Sequence, residues 1–270
     1  MTIDYNFFYV KKNFRLKKKE IPTIVLLHGF MGSSEIWNLI YEILSKEYRI
    51  ISIDLPGHGK SIFPIKWRKK TIFTMEDGAN IVGEILKKEN IEKVIVIGHS
   101  MGGYISLALA EKNPYIFLGL CLLHSTAKQD TIEKKNKRIQ GIHLSKLNFP
   151  LFVYNSVNSW FNKNNISSLQ KEIFFAKKIA FSTDYECISC FLKGMMLRKN
   201  REFLLKTTKF PKLYIVGEYD SILDIKEIIN KETKIGIKTN FTKISTGHMS
   251  HLEKPKILID ILISFIKSII

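Results

Sequence analysis

Cysteine is scarce in this chain of 270 residues, and three cysteines cannot build a dense disulfide framework. Proline (7) and glycine (15) form no Pro/Gly/Ser-rich stretch, so no linker seam divides the chain, and no internal repeat is visible. No apolar run approaches the roughly 20 residues of a membrane span, because Asp260 and Lys267 interrupt even the C-terminal Ile/Leu stretch. The opening Met1-Thr2-Ile3-Asp4-Tyr5 lacks the basic segment and apolar run of a secretory signal. A soluble, cytoplasmic protein is the expectation. Acidic residues number 25 against 42 basic ones, a net charge of +17, yet only six of the 42 are arginine. Nucleic-acid readers cluster their basic residues and use arginine for bidentate contacts. Here Lys17-Lys18-Lys19 and Lys134-Lys135 are short runs in ordinary sequence, so a nucleic-acid partner is not expected.

What is present is a core. Hydrophobic residues make up 45% of the chain, which excludes wholesale disorder. Short β-branched runs, Ile24–Leu27, Ile50–Ile53, Val94–Ile97, Gly119–Leu123 and Leu213–Val216, read as strands buried on both faces. Amphipathic stretches lie between them, such as Met75–Lys88 and Met101–Lys112, the latter stopped by Asn113-Pro114. This alternation predicts an α/β fold with a mostly parallel, doubly wound sheet. Tyr5–Leu16 alternates like a hairpin and is expected at an antiparallel edge. From about Ser125 to Lys209 there is only helical patterning with aromatics, which predicts a helical insertion over the C-terminal edge of the sheet.

The chemistry gathers at the strand ends. Gly98-His99-Ser100-Met101-Gly102 places Gly-x-Ser-x-Gly between a strand and a helix, where a sharp turn offers Ser100 as a nucleophile. A serine needs a base and an orienting acid. Downstream, Gly217-Glu218-Tyr219-Asp220 supplies a carboxylate past a strand end, and Thr246-Gly247-His248 supplies an imidazole past the Phe241–Ser245 strand. Asp220 lies further into its loop than the competing Glu218, and His248 follows its strand more directly than the competing His251. A metal pair at His248-x-x-His251 is not expected for want of a third ligand, nor is any cofactor. The backbone N–H groups of Phe30, after the Leu27-His28-Gly29 turn, and of Met101 are assigned to an oxyanion hole. His28 and the turn Asp54-Leu55-Pro56-Gly57-His58-Gly59-Lys60-Ser61 are read as loop structure. Trp160, Phe161 and Met195, with Phe152 and Met196, either line an acyl pocket or fill the core of the insertion. Cys187-Ile188-Ser189-Cys190 sits in a helical pattern and reads as two buried cysteines rather than a redox pair.

Taken in order, Leu27-His28-Gly29-Phe30, the Asp54–Ser61 turn, Gly98–Gly103, Gly217–Asp220 and Gly247-His248 with Glu253-Lys254-Pro255 resemble the α/β-hydrolase superfamily. The branch they look like holds small carboxylesterases, cofactor-free haloperoxidases and pimeloyl-carrier-protein methyl esterases. The resemblance implies a hydrolase core of residues 1–124 and 210–270, with a helical cap, 125–209, between the sixth and seventh family strands. Serine rather than aspartate at position 100 separates the chain from epoxide hydrolases and dehalogenases. Tyr104 stands where the menaquinone-pathway synthase of this fold carries arginine. The implied activity is ester hydrolysis by a Ser100–His248–Asp220 acyl-enzyme route, on a small-molecule or carrier-protein-linked ester. Lys134, Lys135, Lys137 and Arg138 on the implied cap would face an acidic partner. The alternatives are a C–C hydrolase, lyase or perhydrolase on the same triad, or a ligand- or nucleic-acid-binding protein with a vestigial one.

Overall fold

The computed structural model describes residues 7–12 and 22–270; the Lys17–Lys19 run and part of the Tyr5–Leu16 hairpin expectation lie outside them. Seven strands, β1 (Tyr9–Lys12), β2 (Thr23–Leu27), β3 (Arg49–Ile53), β4 (Val94–His99), β5 (Phe117–Leu123), β6 (Lys212–Gly217) and β7 (Thr239–Ile244), form one sheet. Their order is β1-β3-β2-β4-β5-β6-β7, parallel throughout except for β1, which runs antiparallel along β3. After the edge strand β1, the parallel winding starts inside the sheet at β2, steps outward to β3, then returns past β2 and runs the other way. The reversal falls between β2 and β4. At such a switch point the loops part and leave a crevice at the carboxyl ends of the strands.

Period-two alternation divides each strand between two cores. Ile24, Leu26, Ile95 and Ile97 face a layer made by α1 (Asn38–Leu44) and the C-terminal Pro255–Lys267 helix. Val25, Leu27, Val94 and Val96 face the opposite layer, which holds the helices Met75–Lys88 and Met101–Lys112. With α2 (Ile65–Lys70) preceding them, these are α3 and α4. A reciprocal cap starts α3: Thr74 Oγ1 accepts the Asp77 N–H, and the Asp77 carboxylate accepts the Thr74 N–H. Helix α4 is buried all round from Met101 to Ala110, as a helix sandwiched between a sheet and another helix must be.

Between β5 and β6 the described residues contain no strand. Five helices occupy the interval: α5 (Ile132–Leu147), α6 (Phe149–Trp160), α7 (Gln170–Phe181), α8 (Tyr185–Met196) and α9 (Glu202–Thr207). The short α10 (Ile225–Glu227), α11 (Thr233–Ile235) and α12 (Ser250–Glu253) precede the C-terminal helix, α13. Helix α8 is fastened to the loop after β3. The Asp184 N–H donates to Gly57 O (2.7 Å), and the Phe191 ring meets His58 at 4.8 Å and Phe73 at 4.3 Å. All three cysteines are free and buried.

Neutral imidazoles peg the loops at the carboxyl edge. His28 Nδ1–H donates to Gly29 O (2.7 Å), and its Nε2 accepts the Leu55 N–H (3.0 Å), joining the loops after β2 and β3. Asp54 braces the same junction by accepting the N–H groups of Ser34 (2.5 Å) and Lys60 (2.9 Å). Burial lowers His28 to about 4, and burial with the neighbouring His28 lowers His58 to about 3. An unfolded imidazole takes its proton near pH 6.5, so the unfolded chain binds protons that the folded chain refuses. Stability is therefore complete above about pH 6.5 and falls as pH drops toward about 4, by roughly 1 kcal/mol per ring and pH unit. Scanning calorimetry is expected to show Tm falling by several degrees from about pH 7 to about pH 5, before carboxylates protonate. A flat Tm over that window would count against these rings being buried uncharged.

Candidate active site

Ser100 sits at the switch point, between the last residue of β4 and the first of α4. Its backbone is left-handed, φ 49° and ψ −112°, a conformation costing a non-glycine residue roughly 1–3 kcal/mol. The strain is held from both sides. Ser100 N–H donates to Leu123 O (2.9 Å), while Ser100 O accepts from Gly103 N–H (2.9 Å) and Ser125 Oγ (2.8 Å). Serine is a favoured N-cap residue, yet its side chain here does not cap α4 and is left for other work. The turn closes because its neighbours are small: a Cβ on Gly98 would lie 2.6 Å from Gly102 O, and one on Gly29 would lie 2.6 Å from His99 Nδ1. Gly29 thus lets the loop after β2 close on the elbow, with Phe30 next in line. The backbone N–H groups of Phe30 and Met101 find no acceptor among the described residues.

Asp220 and His248 are brought together by the ends of β6 and β7. His248 Nδ1–H donates to Asp220 Oδ2 at 2.7 Å, and both side chains are buried. The Asp220 Oδ1 accepts two backbone N–H groups, from Ile222 (2.8 Å) and Leu223 (3.2 Å). Burial alone would raise this carboxyl; the facing imidazoles of His248 and His124 and their hydrogen bonds outweigh it and hold Asp220 well below the usual carboxylate range. The backbone of His248 is pinned as well. Its N–H donates to Trp160 O (2.6 Å), and its carbonyl accepts from His99 Nε2 (2.9 Å). The Glu253 carboxylate accepts the N–H of Gly247 (2.8 Å) and of Asn162 (3.2 Å), joining this loop to the end of α6. The competing residues stand apart: Glu218 is exposed, and His251 is buried against Trp37 and His99 with neither ring nitrogen bonded.

Ser100, His248 and Phe30 open onto one cavity of about 780 Å³, ample for a medium-sized ligand. Trp160 and Met195 line it, together with Phe152. Phe161, also expected there, is instead 2% exposed in the hydrophobic core, because the chain turns out of α6 at that residue. Met101 is fully buried at the start of α4, so only its main chain is available. The basic cluster divides. Arg138 Nε is bound to Asp130 (2.6 Å), which also pairs with the buried Arg198 (2.5 Å), and Lys137 pairs with Glu133 (2.7 Å). Lys134 and Lys135 make no ion pair among the described residues.

Sequence reasoning missed three polar residues here. His124, directly after β5, places Nδ1 3.1 Å from the same Asp220 Oδ2, and its Nε2 lies 2.8 Å from Ser250 Oγ. Glu232, fully buried and pushed up by burial, accepts from Ala127 N–H (2.7 Å), Tyr214 O–H (2.7 Å) and the Thr126 hydroxyl, and so fixes the segment after His124. No spacing rule marks these residues; the one available signal was an imidazole at the carboxyl end of a parallel strand. His124, Asp220 and His248 are also the set of potential metal ligands among the described residues, their donor atoms within 4.8 Å of one another. Their 2.7 and 3.1 Å contacts are those of hydrogen bonds, whereas two ligands of a tetrahedral zinc stand roughly 3.3–3.6 Å apart.

Comparison with known proteins agrees with this fold. A family model described as the alpha/beta hydrolase fold matches residues 22–142. A pimeloyl-[acyl-carrier protein] methyl ester esterase from Wigglesworthia glossinidia brevipalpis is 31% identical over 259 residues, spanning 90% of this chain and 93% of its own length. Among solved structures, a thermophilic esterase from Thermogutta terrifontis aligns with a TM-score of 0.84 at 23% identity, over 97% of this chain and 93% of that one. The enol-lactonase from Burkholderia xenovorans LB400 aligns at 0.85 and 18% identity, over 98% and 99%. The two structures speak for the fold, and the full-length relative speaks for kinship. Together with the mostly parallel sheet and the strand–turn–helix at Ser100, they establish that the chain belongs to the α/β-hydrolase superfamily, in its esterase-like branch.

Proposed function

We propose that the chain is a serine hydrolase of carboxylic esters, with Ser100 as nucleophile, His248 as general base and acid, and Asp220 orienting His248. The observation that carries this reading is the 2.7 Å hydrogen bond from His248 Nδ1 to a buried, ionised Asp220, with His248 and Ser100 opening onto the same cavity. With its proton on Nδ1, a neutral His248 has Nε2 bare and able to take the Ser100 proton. Ser100 Oγ then adds to the ester carbonyl, and the N–H groups of Phe30 and Met101 receive the oxyanion. Collapse expels the alcohol with the proton from His248 and leaves the acyl group on Ser100. Water, deprotonated by the same imidazole, releases the acid and restores the serine.

Residues 125–209 act in this reading as a cap on a core of 1–124 and 210–270, with Trp160 and Met195 on the acyl side of the cavity. The name of the 31%-identical relative supports a carrier-protein-linked ester as substrate, and Lys134 and Lys135 would be the charges free to meet an acidic carrier. The residue substitutions expected to test the chemistry are Ser100→Ala and Asp220→Asn. Ser100→Ala should lose fluorophosphonate labelling and lower p-nitrophenyl ester turnover at least about a thousandfold. Asp220→Asn should cost about 10⁴ in kcat, because an amide in place of the carboxylate favours the wrong imidazole tautomer. Across a panel of acyl lengths that includes a carrier-linked methyl ester, a wild type that is neither labelled nor active would sink the ester reading. Turnover confined to a diketone would move the chain to C–C hydrolysis.

A further inference from the structure

His124 shares with Ser100 a positive φ, 47° against 49°, and its side chain is wholly buried. Packing alone would not call for an imidazole there, because any apolar side chain fills space without needing two partners. Both ring nitrogens are used. An ionised carboxylate only accepts hydrogen bonds, so Nδ1 of His124 carries a proton and donates it to Asp220 Oδ2. Burial, the largest influence on this ring, lowers its affinity for a second proton and leaves Nε2 bare. The Ser250 hydroxyl therefore donates to Nε2. The chain of donors runs Ser250 → His124 → Asp220 ← His248, and Ser250 follows His248 by two residues.

We propose that His124 is a positioning residue: a second imidazole that shares Oδ2 of Asp220 with His248, fixes the carboxylate, and through Ser250 ties the His248 loop to the end of β5. The proposal rests on the reading of Asp220 and His248 as the orienting acid and the base. Its consequence is electrostatic. An oxygen that serves two donors gives less to each, so His248 is held in place without the full attraction of an undivided carboxylate. The other titratable groups facing the pair do not substitute for His124. His99 donates to the backbone of His248, and its ring lies 5.0 Å from the His248 ring. His251 meets His99 edge-on at 4.6 Å, and its ring nitrogens have no hydrogen-bond partner among the described residues. Glu253 is spent on the backbone N–H groups of Gly247 and Asn162.

The test compares His124→Leu, which removes the donor, with His124→Asn, whose amide N–H replaces Nδ1–H. For His124→Leu the acid limb of the kcat/KM profile on a p-nitrophenyl ester is expected to move about one unit to higher pH, a tenfold loss on the acid side. His124→Asn should keep the limb of the wild type. An unmoved limb in a folded His124→Leu protein would overturn the proposal, as would an equal shift in both variants. A measurement on the intact wild type stands beside them in case the leucine variant does not fold. Nitrogen-15 NMR of labelled histidines should find the proton of His124 on Nδ1 and none on Nε2; the reverse tautomer cannot donate to Asp220 and would overturn the proposal outright. Asp220→Asn and His248→Ala separate this outcome from failure of the underlying reading. If both retain turnover, the acid–base assignment falls, whereas the tautomer of His124 still reports whether it shares the carboxylate.

Discussion

One oxygen atom, Oδ2 of Asp220, is where the ends of β5, β6 and β7 are brought into register with one another. An ionised carboxylate taken out of water costs several kcal/mol unless hydrogen bonds replace its hydration. Asp220 receives four: two from imidazoles on Oδ2 and two from its own loop on Oδ1. The backbone bonds belong to the turn itself and form with it. The imidazole bonds form only when β5 and β7 lie correctly on either side of β6, so the charge penalises any other arrangement of the three loops. The charge that holds the His248 ring thereby also discriminates the native packing of the sheet's carboxyl edge.

The helices inserted between β5 and β6 share in that arrangement rather than merely covering it. The carbonyl of Trp160, the last residue of α6, accepts the His248 N–H, and Glu253 reaches back to Asn162 just beyond the same helix. Trp160 also lines the cavity. A displacement of α6 that reshaped the cavity would therefore pull on the backbone of the imidazole next to it. The shape of the cavity and the placement of the His248 ring are mechanically coupled through two hydrogen bonds.

Much of this was legible in the residue pattern because it obeys local rules. Runs of β-branched residues ended by glycine mark strands wherever both faces are buried, helix α3 begins at its Thr74 cap, and helix α4 ends at Asn113-Pro114. Ser100 is legible because a left-handed turn wedged against Gly98 and Gly29 tolerates few sequences. Asp220, deeper in its loop than the exposed Glu218, is the carboxylate that reaches His248. What stayed hidden depends on tertiary approach. His124 becomes part of the site only because β5 and β6 are neighbours, and Ser250 only because α12 folds back onto both. Phe161 and Trp160 are adjacent in sequence, yet the chain leaves the helix between them and sends one ring to the core and one to the cavity. Arg138 looked like part of an outward basic face, but a buried Asp130 eight residues earlier claims it. Helical periodicity cannot register a partner in the preceding loop.

The excess of positive charge acquires a different meaning beside this site. The chain carries 42 lysines and arginines, yet the side chains that bond Asp220 are both imidazoles. Six of the seven histidines are buried, where an imidazole offers a donor and an acceptor without a permanent charge. A lysine or arginine on Oδ2 would satisfy Asp220 more completely and compete with the His248 ring for it, since a guanidinium never gives up its charge. A neutral ring holds the carboxylate in position and still leaves most of its field for His248. A histidine rather than a cation beside Asp220 thus leaves the carboxylate available to His248. In so basic a chain it requires that the local environment be built from β5, β6 and α12 rather than drawn from the abundant lysines.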